Sequence, residues 1–181
     1  KSNLLQVSGG EYSLDVTPTG DGTITVDIPA SIAASAETSK ENSAADQFTI
    51  ISDRTGPTVV VNCTTGSPTV YSPIPFTISF DEAVTGFDSN DITVGNGTAG
   101  TPAYDSGNTY TVEITPGSTG TVSVSVGSGV LTDTAGNTNT ASNVFEIIWD
   151  AESPTVKISS TESDPTNASP IPITIAFSKA M

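Results

Sequence analysis

The stretch SPIPFTISF at residues 72–80 decides the fold class, because apolar and polar residues alternate along its second half. In an extended chain Phe76, Ile78 and Phe80 lie on one side, and Thr77 and Ser79 lie on the other. This period of two is typical of a β-strand with one buried face.

The same alternation continues on both sides of this stretch, and clusters of Gly, Pro, Asn and Asp separate the alternating segments. Seven short strands within about 97 residues suit an all-β fold, an Ig-like antiparallel β-sandwich. The predicted strands are 57–63 (A), 73–80 (B), 90–95 (C), 101–105 (D), 109–115 (E), 120–126 (F) and 143–149 (G). The predicted inward residues are Phe76, Ile78, Phe80, Val112, Ile114, Val122, Val124 and Phe145.

The quoted stretch recurs as SPIPITIAF at residues 169–177, an offset of 97. Other segments recur at 97 or 98 residues: GPTV at 56–59 matches SPTV at 153–156, and YSLDVTP at 12–18 matches YTVEITP at 110–116. A fixed offset predicts tandem modules. We interpret 1–53 as the C-terminal part of one Ig-like repeat, 54–149 as a complete repeat, and 150–181 as the N-terminal part of a third.

Under these offsets Lys1 aligns with position 99 and Met181 with Val84. The first piece therefore supplies strands D to G, and the last supplies only A and B. Neither piece buries both faces of a sandwich alone. We expect something to complete them, either a longer array or strands of a neighbouring chain placed head to tail.

Composition excludes several classes of function. The 181 residues include 20 acids, 5 Lys and Arg, one Cys and no His, for a net charge of -15. Such acidity disfavours nucleic acid, and the absence of His removes Ser-His and Cys-His catalysis. One Cys closes no disulfide within the chain, and no apolar run reaches the length of a membrane helix. We expect no enzymatic activity.

Several motifs resemble the bacterial Ig-like (cadherin-like) repeats of giant cell-surface adhesins and extracellular arrays. They are DRTGPTV at 53–59, the strand 73–80, VTGF at 84–87, DITV at 91–94 and DTAGN at 133–137. The resemblance implies stacked modules in an extracellular stalk or filament at the cell surface, with neighbouring Ig-like repeats as partners and calcium at the joints. In the first repeat SAETS at 35–39 replaces DTAGN, which leaves a site at that loop in doubt.

Topology points to one candidate site. In an Ig-like sandwich the B–C and F–G loops lie at the pole where strand A enters. Ca²⁺ takes about six to eight oxygen ligands, and clustered carboxylates repel one another without a cation. We therefore expect Ca²⁺ at the joints, with a solvated acidic pole as the alternative. The candidate ligands are Asp53, Asp81, Glu82, Asp133 and Asn137 at the first joint and Asp150 at the second.

One other pair of acids allows two interpretations. Asp88 and Asp91 suit either a second ion site or, as we favour, an Asx-turn leading into strand C.

The leading functional hypothesis is a calcium-stiffened spacer. The alternatives are an Ig-like module that binds carbohydrate or protein, and an accessory module of a large secreted enzyme. The second joint should bind calcium more weakly, because Lys179 replaces Glu82 at the 97-residue offset.

Overall fold

The computed structural model describes residues 4–180, and within them the fold is all-β. Between these residues no helix is long and apolar enough to cross a membrane. The strands are β1 (Leu4–Ser8), β2 (Glu11–Leu14), β3 (Gly22–Val26), β4 (Phe48–Ser52), β5 (Val59–Asn62), β6 (Ile74–Phe80), β7 (Val84–Thr85), β8 (Ile92–Gly95), β9 (Gly97–Ala99), β10 (Ala103–Ser106), β11 (Thr109–Pro116), β12 (Gly120–Val126), β13 (Thr132–Asp133), β14 (Phe145–Trp149), β15 (Val156–Ser159) and β16 (Thr174–Phe177).

Strands β5 to β14 form what we call the central sandwich. One sheet has the order β10-β11-β6-β5, with β9 also paired to β11, and the other has the order β14-β12-β8. The pairings within both sheets are antiparallel. The short strands β7 and β13 pair with each other beside them. These sheets form an Ig-like β-sandwich, as the alternation predicts.

The core lies between the two sheets and confirms the predicted face. Seven of the eight predicted inward residues are buried, namely Phe76, Ile78, Phe80, Val112, Ile114, Val122 and Val124. The eighth, Phe145, is half-buried and packs against this core, with its ring edge-on to Phe76 at a centroid distance of 5.6 Å. Burying each such side chain contributes about 1.5–3 kcal/mol.

Strand F has the predicted bounds, the other six predicted strands differ by one or two residues at an end, and strands C and D also differ in their local structure. The segment predicted as strand C at 90–95 begins with a 3-10 turn at Ser89–Asp91, and β8 starts only at Ile92. Asp88 accepts a hydrogen bond from the Asn90 backbone N–H at 2.6 Å, and Asp91 accepts one from the Asp88 N–H at 2.8 Å. The favoured Asx-turn reading of these two acids is therefore confirmed. Strand D, predicted at 101–105, begins only at Ala103 as β10, and a further short strand, β9, precedes it at Gly97–Ala99.

The flanking strands repeat the pairing of the central sandwich, register for register. β3 pairs with β4 so that Val26 faces Phe48, which matches Val124 facing Phe145 at offsets of 98 and 97. The β1–β2 pair matches β10–β11, including the register shift before its last pair. The β15–β16 pair matches β5–β6 at an offset of 97.

One buried asparagine of the central sandwich also has a counterpart in the loop between β3 and β4. Asn139 accepts hydrogen bonds from the N–H groups of Val130 and Leu131 and donates to two carbonyls. Asn42 does the same with Ile32 and Ala33. The change of offset from 98 to 97 therefore falls within residues 34–41.

Candidate metal centre

Three carboxylates from distant parts of the chain meet where β4 leads into the central sandwich. Asp53 follows β4, Glu82 follows β6, and Asp133 ends β13. One oxygen of each lies within 4.8 Å of one oxygen of each of the others. Asp133 is buried, whereas Asp53 and Glu82 are half-buried. Three of the predicted ligands are therefore brought together at the predicted pole.

The loop after β13 fixes the position of Asp133. Its Oδ1 accepts hydrogen bonds from the backbone N–H groups of Ala135, Gly136 and Asn137 at 2.8, 2.6 and 2.9 Å. Burial alone would raise the pKa of Asp133, but these bonds and one from the Asn137 side chain outweigh it and lower the pKa. The loop therefore holds a buried charge in its ionised form. Among residues 4–180, its Oδ2 accepts only the Asn137 amide, at 2.8 Å, and has capacity left for an ion.

Glu82 is the least stabilised charge of the three. Partial burial raises its pKa, and the negative charges of Asp53, Asp133 and Asp81 raise it further. Its carboxylate has no hydrogen-bond partner among the described residues. A cation between the three groups would offset the repulsion and stabilise the ionised form of this half-buried carboxylate.

Asn137 connects the cluster to the first linker, which we define as residues 53–56. Its side-chain N–H donates to Asp133 and, at 3.2 Å, to the backbone carbonyl of Asp53. The side-chain nitrogen of Asn137, rather than its oxygen, therefore faces these acceptors, so the predicted ligand Asn137 holds Asp133 and the linker together and is not placed as a ligand. Asp53 itself accepts a hydrogen bond from the Thr55 N–H at 3.2 Å.

Asp81 lies next to Glu82 but does not join the three-carboxylate cluster. Its two oxygens accept hydrogen bonds from Thr58, one from the backbone N–H at 2.8 Å and one from the hydroxyl at 2.7 Å. The Thr58 side-chain bond lowers the pKa of Asp81, against a smaller opposing effect of burial. This carboxylate therefore fastens the start of the first strand of the sandwich to the end of β6.

The second linker, residues 150–153, also carries an aspartate, and here a lysine of the chain lies next to it. Lys179 Nζ lies 2.6 Å from each Asp150 oxygen and 2.7 Å from the Glu152 carbonyl. The Lys179 hydrogen bond is the main cause that lowers the pKa of Asp150. Asp150 was predicted as a calcium ligand, and in the structure its carboxylate is paired with this ammonium instead.

Gly56 is the part of the first linker whose role the sequence did not indicate. A Cβ at this position would overlap the backbone carbonyl of Thr138 in the loop that carries Asn137. Pro57 also accepts a hydrogen bond from the Thr140 N–H at 2.9 Å. The linker thus passes directly against the loop that holds Asp133. In the sequence, the only sign that the two linkers differ at this position is that Ser153 stands where Gly56 does at the 97-residue offset.

The loop between β3 and β4 contains a partial counterpart of the Asp133 loop. Ser35 Oγ accepts hydrogen bonds from the N–H groups of Glu37 and Thr38, both at 3.3 Å. This hydroxyl replaces the backbone-capping function of Asp133 without its charge. The doubt about an ion at this loop is therefore supported by its geometry.

The two facing sheets with their Greek-key-like order define an Ig-like β-sandwich, and the junction before it carries an acidic centre suited to a hard cation. The family model described as "Bacterial Ig-like domain" matches residues 53–148, just over half of the chain, and the chain belongs to this family. No curated protein and no solved structure is similar enough to count as a match. Bacterial Ig-like domains are commonly extracellular or surface-exposed.

Proposed function

We propose that this chain is a structural spacer built from tandem Ig-like modules of about 97 residues, stiffened by Ca²⁺ at the first linker, in an extracellular stalk or filament of an adhesin. The observation that carries the proposal is the convergence of Asp53, Glu82 and Asp133 at the linker. Such a role requires no catalytic group.

The tandem arrangement is supported by pairing registers that repeat at 97 or 98 residues on both sides of the central sandwich. Two similar sequences could still pair with registers that differ by one residue. Such a slip would move every side chain of the strand to the opposite face. Equal registers are expected where successive segments have the same module fold.

The choice of calcium is supported by the donor set. The ligands at hand are the carboxylate oxygens of Asp53, Glu82 and Asp133, which are hard oxygen donors. The central sandwich contains one half-buried Cys and no His, so zinc or copper would lack their preferred ligands. Ca²⁺ also tolerates irregular coordination more readily than Mg²⁺ does.

Stiffening follows from where the ligands lie. Asp53 belongs to the linker, whereas Glu82 and Asp133 belong to the sandwich that follows it. An ion shared among them would restrict rotation about the linker, and its removal would leave three mutually repelling charges at that point.

The proposal is tested by thermal unfolding of the full chain at rising free Ca²⁺ and in chelator. A ligand that binds only the folded state raises the melting temperature with its concentration, so we expect a rise of several degrees. Small-angle scattering should show a more extended and less variable particle with Ca²⁺. Glu82→Gln is the matched variant that keeps size and removes the charge, and it should reduce both responses. Identical curves with and without Ca²⁺ would exclude calcium stiffening.

A further inference from the structure

The first linker is also held by the loop between β2 and β3, through contacts that the calcium proposal does not use. Asp21, the last residue of this loop, accepts a hydrogen bond at Oδ1 from the Arg54 backbone N–H at 2.7 Å. Its Oδ2 accepts a second hydrogen bond from the Thr55 hydroxyl. The Arg54 guanidinium donates to the Pro18 carbonyl of the same loop at 3.3 Å. We call these three hydrogen bonds the Asp21 clamp.

The clamp reaches the candidate ion site through the linker itself. Thr55, whose hydroxyl binds Asp21, donates its backbone N–H to the Asp53 carboxylate at 3.2 Å. From the other side, the Asn137 side chain donates to the Asp53 carbonyl at 3.2 Å. Asp53 therefore lies between two attachments, one to the strands before it and one to the sandwich after it. Hydrogen bonds from outer residues orient the ligands of metal sites in this way.

The second linker has a different set of residues at the positions of the clamp. The three clamp side chains Asp21, Arg54 and Thr55 are replaced, at offsets of 98 and 97, by Thr119, Ala151 and Glu152. The Asp150 carboxylate of this linker is bound by Lys179 instead. The chain thus has the clamp at the linker whose aspartate meets two further carboxylates, and replaces it where a lysine binds the aspartate.

Asp21 adds a negative charge close to the cluster without being free to coordinate an ion. Burial is the main cause that raises the pKa of Glu82, and the Asp21 charge is among the weaker causes. Both Asp21 oxygens already accept hydrogen bonds from the linker. Its effect on an ion therefore has two separable parts, the hold on the linker and the charge.

We propose that Asp21 is a positioning residue of the calcium centre: by holding Thr55, it orients the Asp53 carboxylate toward the other two carboxylates of the cluster. This inference rests on the calcium role proposed above and adds that the strands before the linker control the ion affinity. A clamped linker has less conformational freedom to lose when the ion binds, so binding is tighter. The coupling is reciprocal, since the bound ion stabilises the clamp by the same factor.

The first test is calorimetric titration of the full chain with Ca²⁺. Asp21→Ala removes both acceptors and should weaken binding about tenfold, the low end for outer residues that orient metal ligands. Asp21→Asn is the matched variant without the charge: its amide oxygen accepts from the Arg54 N–H, and its amide nitrogen donates to the Thr55 hydroxyl. It should keep most of the wild-type affinity.

Two further variants separate the hydrogen bonds from the loss of charge. Thr55→Val removes the hydroxyl that Asp21 binds and should reproduce part of the tenfold loss without changing the net charge. Asp15→Ala removes a carboxylate from the loop that carries Asp21 but leaves the clamp intact. It should bind Ca²⁺ like the wild type.

The second test needs no ion. In chelator, the Arg54 backbone N–H should exchange with solvent several times faster in Asp21→Ala than in the wild type or in Asp21→Asn, because only the alanine variant leaves it without its acceptor. Equal exchange in all three proteins would show that the clamp does not form in solution and would overturn the proposal.

The outcomes distinguish this proposal from the calcium role on which it rests. If Asp21→Ala binds Ca²⁺ as tightly as the wild type, Asp21 positions nothing and the calcium role stands. If Asp21→Asn binds as weakly as Asp21→Ala, Asp21 acts through its charge and the positioning role is overturned. If the wild type binds no Ca²⁺, the calcium role fails and this proposal fails with it, whatever the exchange of the Arg54 N–H shows.

Discussion

The two linkers of this chain have the same construction and opposite charges at one position. In both, an aspartate accepts a hydrogen bond from the N–H two residues later, at 3.2 Å for Asp53 and 3.0 Å for Asp150. At the 97-residue offset Glu82 faces the first aspartate, and Lys179 binds the second. The chain thus supplies a positive charge at the second linker, whereas at the first linker the same position carries a third carboxylate.

Asp81 and Ser178, which are equivalent at the 97-residue offset, show that the residue that caps the strand can change. Asp81 accepts a hydrogen bond from the Thr58 N–H at 2.8 Å, and Ser178 Oγ accepts one from the Thr155 N–H at 2.9 Å. Either side chain caps the strand, because the task requires only an acceptor of the right reach. The residue next to it sets the charge of the linker independently.

The largest effect is expected at Asp133, the buried carboxylate of the cluster. Asp133→Ala removes a buried acceptor that holds three backbone N–H groups of its loop, so the loop loses the bonds that fix its conformation. The melting temperature should fall by many degrees with or without Ca²⁺.

Asp133→Asn is the matched control, because it keeps an acceptor oxygen and loses the charge. It should lower the melting temperature less in chelator and should still abolish most of the calcium response. Calorimetry of both variants in both conditions separates the two roles. Equal melting temperatures for the Asn and Ala variants would contradict the separation.

The next effect is expected when the first linker is made to resemble the second. Glu82→Lys places an ammonium near Asp53 and Asp133, as Lys179 lies near Asp150. In chelator the melting temperature should rise by several degrees over the wild type, and added Ca²⁺ should have no further effect. If this variant still responded to Ca²⁺ as the wild type does, Glu82 would not be part of the ion site.

A smaller change is expected at Gly56, where the second linker has Ser153. Gly56→Ala places a methyl group against the Thr138 carbonyl, and backbone atoms have little room to yield. Overpacking of this kind costs about 1–3 kcal/mol. Denaturant unfolding measures it, and Ser153→Ala serves as the control with no expected loss. An unchanged unfolding midpoint for Gly56→Ala would show that the linker shifts freely away from the loop.

The pH dependence in chelator should differ between the wild type and Glu82→Gln. The pKa of Glu82 is raised, so its charge costs stability at neutral pH, and this cost disappears as the pH falls through that raised pKa. The pKa values of Asp81 and Asp133 are lowered, so their stabilisation is present above the usual aspartate value of about 3.9 and is lost below it.

The wild type in chelator should therefore be most stable at mildly acidic pH, by a few degrees, before it destabilises at lower pH. The Glu82→Gln variant should lack the rise between neutral and mildly acidic pH. Parallel curves for the two proteins would show that neither burial nor neighbouring charge raises the pKa of Glu82 in the folded protein.

The smallest effect is expected at the second linker. Lys179→Glu replaces the ammonium with a carboxylate beside Asp150 and Glu152, which should loosen residues 150–179 and create a weak Ca²⁺ response there. Hydrogen exchange of β15 and β16 measures it better than melting, because these strands are exposed. Lys157→Glu is the control for a change of net charge alone. Equal exchange in both variants would deny Lys179 its role.

The sequence sufficed for the fold because alternation is a local property. The period of two in residues 76–80 identifies a buried face, and seven of the eight predicted core residues are buried. The constant offset predicts tandem modules, and the structure adds that the strand registers repeat at the same offsets. Strands C and D differ from the prediction in their local structure, because capping by Asp88 before β8 and the separate strand β9 before β10 depend on backbone bonds that alternation does not indicate.

The candidate site was only partly predictable, and the neighbours Asp81 and Glu82 show why. In sequence they are equivalent acids, and both were proposed as ligands. In the fold the Asp81 side chain bonds Thr58, 23 residues away, and only Glu82 lies with Asp53 and Asp133. Their division of roles depends on which groups approach the end of β6 from other strands.

The sequence by itself therefore determined the β-sandwich, its inward face, the repeat offset and an acid excess suited to a hard cation. Only the tertiary structure decided which three carboxylates converge, that Lys179 binds Asp150, and that Gly56 contacts the loop at Thr138. The physical reason is the range of each cause. Period and charge are read along the chain, whereas convergence depends on distances between atoms that lie far apart in sequence.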